Sequence, residues 1–578
     1  MFRKGLSSAL LLLSLFLFPR SVDGCTTIIV TRGASADGSV MVSHSDDNDL
    51  MDQRIIYVPA RKHAPGSVRE VFCTAAAMGE FPQFNSFSYP RVVTSERGPG
   101  YDTAGPKSIP LGTIPQVRET YAYFDGSYGI MNEHQLMFGE CTNGSKVTPE
   151  PEPGKRIMYS AELSRIALER CRTAREAIRL MGELIERYGL YGTGETLPVA
   201  DSEEAWVFEM APSPEGTGGL WAAKKVPDGE IFVGANQFRI RELDPDDPDI
   251  MFSGNLHSVA EKHGWWKPSD GKLDWLKTVS LGEYNHPYYS LRRVWRVFSL
   301  AAPSKDFSPW VKDGFTKDYP FSVKPDRKLG VRDLMRLHRD HYEGTEFDLT
   351  KGTAAGLFGY PDRYYGPYDG AGDVGDPKRK LGGAWERPLS VTYCGYVFVN
   401  QARGWLPDPI GGRMWLGLDK PADTLFLPFH VGVTGLPRSV EVCDTTKFSR
   451  ESAWWTFNFL ANYAGLKYSY MHREIESLQE QLETGFLNTL DAVERIALYL
   501  HSTDPSSARA YLTEFAEKNT AGALEKWKEL TEHLIVKYND GLLTEGGKIG
   551  QPLGYPKEWL RTTSWPEGPT SYERPKGK

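Results

Sequence analysis

The chain has 578 residues, 40% of them hydrophobic and 25% charged, ordinary proportions for a folded protein with room for a large core. Its net charge of −8, without a long basic block, gives a nucleic-acid partner no electrostatic support. Six cysteines, far apart and without a CxxC pair, are too sparse for a disulfide scaffold; zinc-ligand spacing is absent and pairing stays unassigned.

Arg3 and Lys4 precede the apolar run Ala9 to Phe18, which has the length of a secretion signal and is too short to span a bilayer. Val22 and Gly24 hold the small-residue positions of a cleavage site. Residues 1–24 are therefore expected to be a signal peptide. The mature chain would begin at Cys25 and be secreted, periplasmic or at the cell surface, with no stable membrane span.

From Cys25 to about residue 445 the pattern is one of short strands, turns and helices. Thr26 to Thr31 reads as a strand, "GASADGS" as a turn, and Val40 onward as the returning strand. Ile157 to Tyr188 is helical, with Thr173 and Glu176 spaced as a capping box. Two hairpins are expected next, Leu197–Ala200 with Ala205–Glu209 and Leu220–Val226 with Ile231–Ala235. Leu329 to His341 is again helical. Residues 446–545 carry long helical patterns, and the tail 546–578 reads as irregular. The order suggests an α+β body, residues 25–445, followed by a C-terminal helical region.

An N-terminal cysteine carries a thiol and a free α-amine on one carbon. Their ordinary pKa values, about 8.5 and about 8, let the amine take the thiol proton without a histidine, provided no residue precedes it. A hairpin turning near Ser35 would bring residue 46 or 47 beside Cys25. A carboxylate there, in "HSDDND", can hold the ammonium over the sulfur.

"CTTIIVTRGASADGSVMVSHSDDND" resembles the opening of the dipeptidase A and secernin family of N-terminal-nucleophile cysteine hydrolases. "YGIMNEHQLMFGE", "ADSEEAWVFE", "VGANQFRI", "HYEGTEFDL" and "LPFHVGVTGLP" resemble later family segments, in order. The resemblance implies a four-layer αββα sandwich and hydrolysis of dipeptides, without a cofactor or a metal. It implies Cys25 as nucleophile, Asp47 as the acid that orients it, and Asn132 and Asn236 as contacts to the amine or oxyanion. His44 stands where the family has Arg or Lys, so a role in holding a substrate carboxylate would become pH-dependent.

Plainer readings stand beside these. His338 and His341 fit a helix surface, and Arg387 and Arg403 fit ordinary surface arginines better than carboxylate clamps. An acyl-amidase of the penicillin V or bile-salt type would use the same catalytic groups. A non-enzymatic lipoprotein, lipidated on Cys25, would consume the thiol. Preferred side chains are not legible, and a homo-oligomer stays open.

Overall fold

The computed structural model describes residues 24–48, 52–73, 91–283, 288–363, 385–548 and 550–562. The expected signal sequence up to residue 23, and most of the tail, lie outside them.

Two antiparallel sheets form the body. The first joins β1 (Thr26–Val30), β2 (Val40–Asp46), β11 (Ile231–Gly234), β13 (Ser322–Val323), β14 (Tyr396–Ala402), β15 (Arg413–Leu418) and β16 (Leu427–His430), in the order β13-β11-β1-β2-β14-β15-β16. The second runs β12-β10-β9-β8-β6-β5-β4-β3. Its strands are β3 (Ile56–Val58), β4 (Tyr123–Asp125), β5 (Gly129–Asn132), β6 (Met137–Phe138), β8 (Gly194–Ala200), β9 (Ala205–Pro212), β10 (Gly219–Lys225) and β12 (Ile250–Phe252), and β7 (Cys141–Asn143) also pairs with β8.

Period-two alternation sorts the side chains of β9. Ala205, Val207 and Ala211 join the core shared with the first sheet, whereas Trp206, Phe208 and Met210 join the core under two helices. Those helices, α1 (Ser160–Arg170) and α2 (Ala174–Tyr188), pack on the second sheet. They replace the single helical stretch read from the sequence. The chain breaks at Cys171 and restarts at Thr173, whose hydroxyl accepts from the Glu176 amide in the capping box the spacing predicts. On the first sheet lie α3 (Leu291–Ala301), against β11, and α4 (Val331–His338), against β2 and β14. Strands β8 and β2 meet between the sheets.

One expected hairpin is not formed. Strands β10 and β11 do not pair: β10 pairs with β9 and β12, and β11 with β1 and β13. The link Pro227–Glu230 carries the chain from one sheet to the other. Thr31 holds its far end, donating its amide and hydroxyl to the Glu230 carbonyl. Turn chemistry marks a reversal but not the sheet to which the next strand goes.

Three further helices, α5 (Ala453–Ala464), α6 (Tyr468–Thr503) and α7 (Pro505–Lys537), follow the sheets. Helix α7 packs on β16 and α5 on β15, so the long helices cover that edge of the first sheet and share its core. Among the described residues no helix is long and apolar enough to cross a membrane. None of the six cysteines is in a disulfide.

Candidate active site

Cys25 precedes β1 and is buried, 3% exposed. The β1–β2 register pairs Thr26 with Ser45 and Thr27 with His44, so Cys25 falls opposite Asp46, with Asp47 next to it. The Gly24 amide donates to the Asp47 carbonyl at 3.4 Å. Hairpin arithmetic thus delivers an acid to the start of β1.

Residue 24 is itself packed in place. Arg387 donates to its carbonyl, and a Cβ there would run into the Tyr289 hydroxyl, so any larger residue would have to push that side chain aside. The same Arg387 Nη2 bonds Asp47 Oδ2 at 2.6 Å, and Ser45 Oγ donates to that oxygen at 3.0 Å. Burial raises the Asp47 carboxyl from its ordinary range, and Arg387 opposes the shift. Arg387 is therefore no surface arginine; it is 4% exposed and tied to the Cys25 end of the sheet. Arg403 is buried as well, paired with Glu494 rather than placed at this site.

Asn236 comes to the same place. It follows β11 with φ of +61°, a left-handed conformation that asparagine tolerates better than most residues. Its Nδ2 donates to the Thr142 carbonyl at 2.7 Å and its Oδ1 accepts from Arg293 at 2.7 Å. Arg293, fully buried on α3, also donates to the Cys25 carbonyl at 2.6 Å and to Thr26 Oγ1 at 2.9 Å. Nothing in its local sequence marks it, because its partners lie far away along the chain. Cys141 completes this side: its thiol donates to the Cys25 carbonyl at 3.5 Å and accepts from the Asn236 amide.

Asn132 is not part of this group. Its Nδ2 donates to the carbonyls of Leu168 and Cys171, each at 2.9 Å, at the end of α1. Its Oδ1 accepts from the amides of His134 and Leu136 at 3.0 and 3.1 Å. Both amide hydrogens and both lone pairs are engaged, so no donor is left for an oxyanion. The expected catalytic role is corrected to one of anchoring a helix end and a turn.

His44, on β2, is 1% exposed among Tyr128, Tyr396 and Phe398. Burial lowers its pKa to about 3, so the ring is neutral at pH 7 and cannot stand in for the permanent charge of Arg or Lys. The pH dependence expected of His44 therefore does not arise near neutral pH. His338 and His341 are also buried rather than on a helix surface, and His338 Nε2 meets Ser43 Oγ at 2.8 Å.

The Cys25 thiol is raised well above its ordinary pKa, first by burial and then by the carboxylates of Glu140, Asp46 and Asp47. With its nitrogen bound to Gly24, Cys25 is a protonated, unreactive thiol. The site holds a nucleophile type, an acid one hairpin position away that is paired with Arg387, and a guanidinium and a thiol donating to the Cys25 carbonyl, with Asn236 bonded to that guanidinium.

Residues 125–481 match the sequence profile of peptidase family C69. A probable dipeptidase from Salmonella dublin is 26% identical over 415 residues, covering 71% of this chain and 82% of that protein. A probable dipeptidase from Latilactobacillus sakei is 24% identical over 542 residues, 92% of this chain and 97% of the relative. Dipeptidase A from Lactobacillus helveticus is 23% identical over 469 residues, 79% and 85% of the two chains. Penicillin V acylase from Agrobacterium tumefaciens overlays on 70% of this chain and 86% of its own at 9% identity and a TM-score of 0.25, too slight a likeness to bear on function. The family profile covers more than half of the chain and begins within the second sheet, and the chain belongs to peptidase family C69.

Proposed function

We propose that the protein is an exported cysteine dipeptidase in which removal of residues 1–24 frees Cys25 as an N-terminal nucleophile. The observation that carries this reading is that Arg387, paired with Asp47, bonds the Gly24 carbonyl while Arg293, bonded to Asn236, holds the Cys25 carbonyl. The dipeptidase names of its relatives supply the substrate class. The body, residues 25–445, would then be a four-layer αββα sandwich, with α1 and α2 outside one sheet and α3 and α4 outside the other.

The chemistry follows from the groups present. Once residue 24 is gone, the Cys25 nitrogen is an amine and accepts the thiol proton. Asp47 holds the resulting ammonium over the sulfur. The thiolate adds to the scissile carbonyl, and the remaining amide hydrogen of Asn236 stabilises the oxyanion. The ammonium protonates the departing amino acid as the carbon–nitrogen bond breaks. Water, deprotonated by the same amine, then cleaves the thioester and restores the thiol.

Two versions of the protein test this, one beginning at Cys25 and one with a retained methionine before it. Only the first should release two amino acids from Ala-Ala. N-acetyl-Ala-Ala should be a poor substrate, because a site built for an ammonium leaves buried polar groups unpaired without it. Preference for N-acetyl-Ala-Ala or penicillin V would favour an acyl-amidase. Equal activity of the two versions would refute the N-terminal mechanism. The intact mass of the exported protein reports cleavage and distinguishes a free Cys25 from a lipidated one.

A further inference from the structure

Cys25 Sγ, His44 and Glu140 supply three ligand atoms, all within 4.8 Å of one another and all buried. We infer that these three side chains form a zinc site, so that Zn²⁺ binds the nucleophile and reversibly switches the peptidase off.

The first support is the pattern of hydrogen bonds. His44 Nδ1 lies 2.9 Å from the Glu140 carbonyl oxygen and 3.3 Å from its amide nitrogen. One nitrogen cannot serve both, and the shorter contact places the hydrogen on Nδ1, donated to the carbonyl. The lone pair is then on Nε2, which has no hydrogen-bond partner among the described residues although the residue is 1% exposed. A backbone carbonyl on one ring nitrogen is the usual way a metal-binding histidine is oriented through the other. Glu140 faces the same sulfur: Thr142 Oγ1 donates to its Oε1 at 3.0 Å, and its carboxyl also meets the Cys25 thiol and Glu195. The buried His44 acceptor, left unsatisfied among the described residues beside a thiol, costs free energy that a cation would recover.

The second support is charge. Glu195, opposite Thr142 in the β7–β8 register, is fully buried beside Glu140. Asp46 and Asp47 lie across the β1–β2 pair from Cys25. A divalent cation relieves this crowding. Bound to a thiolate, a carboxylate and a neutral imidazole, Zn²⁺ gives a site of zero net charge. Sulfur and nitrogen donors select Zn²⁺ over Ca²⁺ or Mg²⁺. Bonds of about 2.0–2.3 Å put tetrahedral ligand atoms about 3.5 Å apart, so the three groups must draw together by about 1 Å, within reach of side-chain rotation. The Sγ–Zn bond forms as the thiol proton, with any proton on Glu140, leaves to solvent. No electron changes hands. The fourth position remains for water.

Binding is independent of the proposed activity; inhibition rests on Cys25 being the nucleophile. The protein, in whatever N-terminal form its intact mass reveals, is titrated with Co²⁺ as a spectroscopic probe and with Zn²⁺. One equivalent of Co²⁺ should give visible bands of a tetrahedral site and a near-ultraviolet thiolate-to-cobalt band. That band should vanish in Cys25→Ala and persist in Cys141→Ser. His44→Gln and Glu140→Gln, checked for folding by circular dichroism, should each weaken Zn²⁺ binding at least tenfold. Zn²⁺ should suppress Ala-Ala hydrolysis stoichiometrically, and EDTA should restore it. No thiolate band, or one that survives Cys25→Ala, overturns the site. A Cys25-dependent band without loss of hydrolysis supports the site and overturns the switch, because a blocked thiol then does no chemistry. If the metal-free protein cleaves no dipeptide, the dipeptidase reading fails while the spectra still decide the site.

Discussion

Asn132 and Asn236 are the same residue type, each at the end of a strand, and the sequence offers no way to tell them apart. Their partners do. Asn236 keeps one amide hydrogen free beside Cys25, whereas Asn132 has none left. Asn236→Ala should lower kcat by about 10²–10³, the usual effect of losing one oxyanion donor. Asn132→Ala should leave kcat of the folded enzyme near wild type and cost about 1–3 kcal/mol of stability, because it orphans buried carbonyl and amide groups. Steady-state kinetics and denaturant midpoints on the two variants separate the roles, and equal kcat values would remove Asn236 from the mechanism. Asp47 was legible because it lies within one local hairpin of Cys25. Arg293 and Glu140 were not, because they reach Cys25 from α3 and from the segment before β7, separations that no local pattern records. Cys25→Ala should lose more than a hundredfold in activity with little change in stability, since only a small side chain is removed.

At the scale of elements, the sequence was informative wherever pairing is local. The β1–β2 and β8–β9 hairpins form as their turns suggest, and the capping box at Thr173 marks the start of α2. The β10–β11 pair failed because the Pro227–Glu230 link crosses from one sheet to the other, and the apolar alternation is the same for either sheet. The long C-terminal helices were visible from their periodicity, but the reason they stay docked was not. Glu494, on α6, receives Arg403 at 2.8 Å, Arg413 at 3.1 Å and His430 at 2.9 Å, all from the first sheet or the turn after β14. His430 and the two arginines hold its carboxyl far below the ordinary range. Such a lowered acid stabilises the fold above its unfolded pKa, about 4.3, and the contribution is lost as pH falls further. Glu494→Gln should cost about 3–5 kcal/mol near pH 7, because it strands buried guanidinium groups. The deficit should shrink below pH 4, and hydrogen exchange should show α6 opening first. A deficit independent of pH would mean that packing, and not the ion cluster, fixes the helix.

Across the whole molecule, burial on both faces of two sheets forces polar groups into the interior, and their titrations oppose one another. Burial lowers His338 to about 3 and His430 to about 4. It raises Glu209 and Asp419 to about 7. Between about pH 6.5 and 4.3, unfolded imidazoles bind protons that the native ones refuse, so acid destabilises the fold through them. In the same window native Glu209 and Asp419 hold protons that their unfolded counterparts have lost, so acid stabilises through them. The two effects cancel to first order, and these four groups leave stability nearly level over the window. Removing one of them unbalances the set in a known direction. His338→Gln has a fixed cost from packing and from its contact with Ser43, but it no longer carries the acid penalty. The stability difference between wild type and variant should therefore fall by about 1.4 kcal/mol per pH unit below pH 6.5, or about 2 kcal/mol between pH 6.5 and 5. Denaturant unfolding of both proteins at pH 7, 6 and 5 measures it, with every other titrating group cancelling in the difference. Parallel curves would show that residue 338 is not held neutral in the native interior. A wider gap in acid would show that its protonated form is stabilised there, which nothing around Ser43 and His44 provides.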